Sequence, residues 1–179
     1  MLFGGVFVKD VRASLPRATG RQEYALRAAT AEAAKGLVER IVVHHVGGGV
    51  NRDYTAEEIA AYHAFDRGWP GIGYHFLVHP DGRIEYVGDW LTVRYHCGKL
   101  NASSLGVCLA GDFTAAAPPD RQLMRARMLI AGIRRVLGRE VPALGHRDLD
   151  PAATGYPRPE CPGRTWESWR LQVTGEVRG

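Results

Sequence analysis

The run Ile41-Val42-Val43-His44-His45-Val46 is β-branched and apolar almost throughout, and Gly47-Gly48-Gly49 stops it. β-branched side chains crowd a helix but fit a pleated surface, so the run reads as a buried strand. Residues 105–110 read as a second buried strand, and residues 74–78 and 83–87 as a hairpin turning at Pro80-Asp81-Gly82. Helical patterns alternate with these strands. Thr55-Ala56-Glu57-Glu58 has the form of a capping box and predicts a helix to about residue 67, with Ile59, Tyr62 and His63 on one face. Pro118-Pro119-Asp120 opens the clearest helix, with Leu123, Ala126, Ile130, Ile133 and Leu137 at helical spacing and Gly138 at its end. A short strand is expected over residues 141–144 and a terminal helix carrying Trp166 and Trp169. Residues 22–35 are alanine-rich and predict a further helix, after a loop over residues 12–20. Strands alternating with helices make this an α/β chain, with a central mixed β-sheet flanked by α-helices.

The 179 residues are expected to form a single domain, with residues 1–35 as an N-terminal extension. A content of 45% apolar and 23% charged residues is ordinary for a soluble globular protein. No apolar run approaches the roughly 20 residues of a membrane span, so membrane insertion is not expected. Residues 1–8 are apolar only briefly, have no basic leading region and meet Lys9 and Asp10 at once, so no export signal is expected. The net charge of +4 favours an anionic partner, either nucleic acid or a wall rich in carboxylates and phosphates. The basic residues are dispersed, and no nucleic-acid motif accompanies them. Cys97, Cys108 and Cys161 are too few, and odd in number, for a disulfide framework. Cys108, inside an apolar strand, reads as a core thiol.

Candidate chemistry lies in His44 or His45, in Gly145-His146-Arg147-Asp148, and in Glu160-Cys161-Pro162-Gly163. Successive strand residues face opposite sides, so His44 and His45 cannot both enter one site, and periodicity does not choose between them. Cys161 lies between Pro159 and Pro162, which stiffen its loop. A His/His/Cys set leaves a fourth tetrahedral position for water, as a hydrolytic zinc requires.

In this order, with Gly73-Tyr74-His75-Phe76 between the first two, these motifs resemble the N-acetylmuramoyl-L-alanine amidase superfamily, which includes phage lysozyme-type amidases and peptidoglycan recognition proteins. The resemblance runs from about residue 10 to residue 169 and is strongest from 41 to 163. It implies Zn2+ held by His44, His146 and Cys161, with His45 facing away. It implies that Tyr74 assists at the tetrahedral stage and that His96 and Asn101 contact substrate. The partner it implies is bacterial peptidoglycan, cut between N-acetylmuramic acid and L-alanine. The expected setting is a phage or prophage endolysin, monomeric and cytoplasmic until it is released to the wall. The rival is a peptidoglycan-binding module without activity; a closed structural zinc site would need a fourth protein ligand. His75 and His63 are expected to be structural and His79 exposed. One departure stands out: relatives place lysine or threonine where this chain has Pro159, which cannot donate a hydrogen bond. Arg158, one residue away, is the proposed substitute.

Overall fold

The computed structural model of the chain describes residues 1–175. Its strands are β1 (Leu2–Phe3), β2 (Val6–Phe7), β3 (Lys9–Asp10), β4 (Arg40–His45), β5 (Phe76–Val78), β6 (Ile84–Tyr86), β7 (Ser104–Leu109) and β8 (Ala143–Gly145). Its α-helices are α1 (Ala31–Leu37), α2 (Ala56–Ala61), α3 (Asp120–Leu137), α4 (Pro151–Thr154) and α5 (Trp166–Thr174). Strands β1 and β2 form a small hairpin, and the others make one six-stranded sheet in the order β3-β6-β5-β7-β4-β8. Within the six-stranded sheet, among the described residues, β5 and β6 pair antiparallel and the other pairs are parallel, so the sheet is mixed as expected.

Alternation along the strands sorts their side chains between two layers. Ile41, Val43, Leu105, Val107, Leu109, Phe76 and Val78 pack with α3 and with Trp166 and Trp169 of α5 in the main core. The stripe expected on α3 is the face that enters this core, and Gly138 caps the helix in the left-handed region at φ 69°. Truncating a residue such as Ile130 to alanine would cost about 2–5 kcal/mol, because close-packed neighbours cannot collapse onto the cavity. On the opposite face, Leu77, Cys108 and Ala110 pack with Ile59 and Ala60 of α2. The capping box of α2 is complete: the Glu58 N–H donates to Thr55 Oγ1 at 3.2 Å and the Thr55 N–H to Glu58 Oε2 at 2.8 Å. Beyond Ala61 the helix widens into a π-type turn over Tyr62–Asp66. No helix among the described residues is long and apolar enough to cross a membrane.

Two expectations are corrected. The alanine-rich segment is helical only over Ala31–Leu37, capped by Thr30. Before it the chain is drawn out beside residues 91–93, with the Arg27 N–H donating to the Leu91 carbonyl at 2.6 Å and the Val93 N–H to the Ala25 carbonyl at 2.8 Å. The Arg27 side chain explains the override of local propensity. It is buried, and its guanidinium donates to the carbonyls of Trp90, Thr92, Asn101, Ala102 and Ser104. His79 is not exposed: it is 1% accessible, held between Asp53 Oδ1 at 2.6 Å and Glu85 Oε2 at 3.2 Å.

Candidate metal centre

Strand register brings the first two donors together. In the parallel pair β4–β8, Val43 lies opposite Gly145, so His44 and His146 leave the sheet side by side, ring centroids 4.5 Å apart. They stand at the carboxyl ends of parallel strands, where open α/β sheets bind their ligands. His45 points to the other layer, where its Nδ1 accepts the Phe113 N–H at 3.1 Å.

Each residue of Gly145-His146-Arg147-Asp148 has a local task. A Cβ on Gly145 would come within 2.6 Å of the buried Trp166 ring, so only glycine lets the chain pass. Asp148 Oδ2 accepts the Gly145 N–H at 2.9 Å and the Trp166 indole N–H at 2.8 Å, which fixes the turn that presents His146. Arg147 ties in the third donor: its backbone N–H reaches the Cys161 carbonyl at 2.8 Å and its guanidinium the Gly163 carbonyl at 3.2 Å. The donor atoms of His44, His146 and Cys161 consequently all lie within 4.8 Å of one another. His44 is buried, whereas His146 and Cys161 are half-exposed, so the group opens on one side.

The electrostatics suit a cation. Burial, reinforced by His146 and His96, holds the His44 pKa well below its ordinary value. Burial lowers His146 to about 4, so both imidazoles are neutral donors at neutral pH. Burial also pushes the Cys161 thiol up to about 12, and a metal ion would have to displace its proton. Two neutral imidazoles and a thiol are the nitrogen–sulfur set that zinc takes, and three protein donors leave one tetrahedral position open. The residues fit the ion.

Tyr74 stands beside the group, its ring 5.1 Å from that of His44. Burial, with the Cys108 and Cys161 thiols nearby, keeps its hydroxyl protonated far above the ordinary tyrosine range. Next to it lies a groove of about 470 Å³, lined among others by Arg52, Tyr54, Tyr62 and His63. His63 is buried, and its Nδ1 accepts the Gly73 N–H at 3.1 Å. His75 is buried too, its Nδ1 accepting the Gly106 N–H at 2.9 Å.

His96 and Asn101, expected along the substrate groove, each make hydrogen bonds within the protein. His96 is buried, with its Nδ1 3.0 Å from His44 Nε2 and its Nε2 4.0 Å from Cys97 Sγ. Its ring lies over Gly106, where a Cβ would come within 2.9 Å of it. Asn101 Oδ1 accepts the backbone N–H groups of His96 and Cys97 at 2.9 and 2.8 Å. Cys97 is a buried free thiol. Arg158 is exposed and makes no hydrogen bond or ion pair among the described residues. Sequence reasoning missed Tyr156, whose hydroxyl hydrogen-bonds with His146 Nε2. Nothing local marks it, because the contact depends on a turn at Gly155.

The family model for N-acetylmuramoyl-L-alanine amidase matches residues 34–164, with all three donors and Tyr74 inside it. The chain belongs to this amidase family. Among its relatives, the endolysin of Enterobacteria phage K11 is 30% identical over 139 residues, covering 75% of this chain and 85% of the phage protein. Solved structures share the fold, two of them as follows. The N-acetylmuramoyl-L-alanine amidase LysC from Clostridium intestinale URNW superposes with a TM-score of 0.70 at 22% identity, covering 97% of this chain and 99% of that one. The ectodomain complex of peptidoglycan recognition proteins LCa and LCx, with tracheal cytotoxin bound, gives a TM-score of 0.66 at 23% identity, covering 88% and 91%.

Proposed function

We propose that this chain is a zinc-dependent amidase that hydrolyses the bond between N-acetylmuramic acid and the L-alanine of the peptidoglycan stem peptide, acting as a phage or prophage endolysin. The observation that carries the reading is the convergence of His44, His146 and Cys161 within 4.8 Å, open on one side beside Tyr74. Three donors with a fourth tetrahedral position left for water favour catalysis over binding alone. The phage relative named an endolysin and the structural neighbour that holds tracheal cytotoxin support the wall polymer as partner. The positive net charge suits a wall rich in carboxylates and phosphates.

Zinc in this site supplies Lewis acidity, which lowers the pKa of water to about 7 and polarises a carbonyl. The protein's own groups do the rest. His44 and His146 offer neutral imidazoles, and Cys161, a protonated thiol without the ion, would hold zinc as the thiolate. The groove lined by Tyr54, Tyr62, His63 and Tyr74 is the surface offered to the stem peptide in this reading, with Tyr74 linking it to the His44 ring. Tyr74 keeps its proton at neutral pH and can donate a hydrogen bond where negative charge develops on the carbonyl oxygen.

The reading is tested by digesting purified peptidoglycan and weighing the products by mass spectrometry. Free stem peptides beginning with L-alanine, with glycan strands intact, are expected. New reducing ends, or amino groups arising only within the stem peptide, would replace the amidase with a glycosidase or an endopeptidase.

A further inference from the structure

The structure assigns Tyr156 as a positioning residue of the metal centre: its hydroxyl engages Nε2 of His146 and thereby turns Nδ1 of that ring toward the ion. This inference rests on the zinc reading of the His44, His146 and Cys161 group.

Five features place Tyr156 there. Asp150 caps the short helix α4 by accepting the Ala152 N–H at 2.9 Å, and Gly155, at φ 82°, ends it and returns the chain toward His146. Thr154 Oγ1 then donates to the Tyr156 carbonyl at 3.2 Å, fixing the backbone. The ring meets that of His146 edge-on, with centroids 5.6 Å apart and planes at 82°. It also fills the space that a side chain on Gly98 would take, since a Cβ there would approach it to 2.5 Å.

The other histidine shows the same arrangement. His44 directs Nδ1 to Cys161 Sγ at 3.5 Å, while its Nε2 is taken by His96 Nδ1 at 3.0 Å. The one stretch Gly98–Ser103 with its flanks backs both rings, through the Gly98 cradle for Tyr156 and the Asn101 clamp on His96. A metal-binding imidazole whose far nitrogen is held by the protein has its tautomer and ring plane chosen in advance. Losing that outer partner commonly weakens metal binding by about 10- to 100-fold. With the ion on Nδ1, Nε2 carries the proton and donates it to the Tyr156 oxygen.

The test uses the full chain and zinc itself. Zinc affinity is measured by chelator competition in wild type and Tyr156→Phe, with the melting temperature of the metal-free protein as control. Phe keeps the ring in the Gly98 cradle, so the control should not move, and affinity should fall about 10- to 100-fold. Nitrogen-15 shifts of the zinc-loaded wild type should identify Nδ1 of His146 as the bound atom. Unchanged affinity in Tyr156→Phe, or zinc on Nε2, overturns the inference. A fall in both affinity and metal-free stability also overturns it, by reducing Tyr156 to packing. Failure of wild type to bind zinc at all would instead overturn the metal reading itself.

Discussion

His44 and His96 lie ring to ring in the protein interior, Nε2 of the first 3.0 Å from Nδ1 of the second. With Nε2 engaged by His96, Nδ1 of His44 is the nitrogen that faces Cys161 Sγ, at 3.5 Å, and is left for a cation. Replacing His96 by alanine leaves His44 Nε2 buried without its hydrogen-bond partner, at a cost of about 1–3 kcal/mol. Zinc affinity should fall with stability, by about 10-fold or more. Denaturant unfolding and chelator competition measure the two. A variant with normal stability and zinc affinity but a raised KM would make His96 a substrate contact instead.

Tyr74→Phe separates chemistry from metal binding. The ring packing stays and only the hydroxyl goes, so zinc content should match wild type. Losing one hydrogen bond to developing charge lowers turnover by about 10²-fold or more. Wild-type turnover in this variant would leave Tyr74 as packing against His44.

Stability should depend on pH through His79. Burial would lower its pKa, but hydrogen bonds to Glu85 and Asp53 outweigh burial and raise it. A raised histidine stabilises the fold fully below its ordinary pKa of about 6.5, and that contribution is lost as pH rises through the folded value. Glu85 is lowered by the same hydrogen bond, so its share is present above the ordinary carboxylate range and lost as pH falls through its folded value. Melting temperature should therefore fall on the alkaline side of about pH 6.5, and His79→Gln should flatten that slope. An unchanged slope in the variant would remove His79 from the account.

These sites differ in how far local sequence reveals them. The α3 stripe and the Thr55–Glu58 box are set by spacing within one element, and both are found in place. His44 and His45 could not be separated by period, because alternation gives opposite faces without saying which face holds the site. The β4–β8 register and the Phe113 N–H on His45 decide it. His79 looked exposed because it adjoins a turn, yet Asp53, 26 residues earlier, covers it. Residues 22–30 carry helical composition, but the five carbonyls that receive Arg27 lie 63 to 77 residues downstream. Tyr156 is hidden for a like reason, its place depending on Gly155 and Gly98 together. Periodicity reports an element's own faces, and long-range hydrogen bonds leave no periodic trace.

Cys161→Ser tests the central claim most directly, read as zinc content and amidase activity of the same preparation. Wild type should bind about one zinc per chain, lose activity to a chelator and regain it with zinc. A hydroxyl is a far poorer zinc ligand than a thiolate, so the variant should lose most of its zinc affinity, its activity, or both. Full zinc content together with full activity in Cys161→Ser would contradict the site.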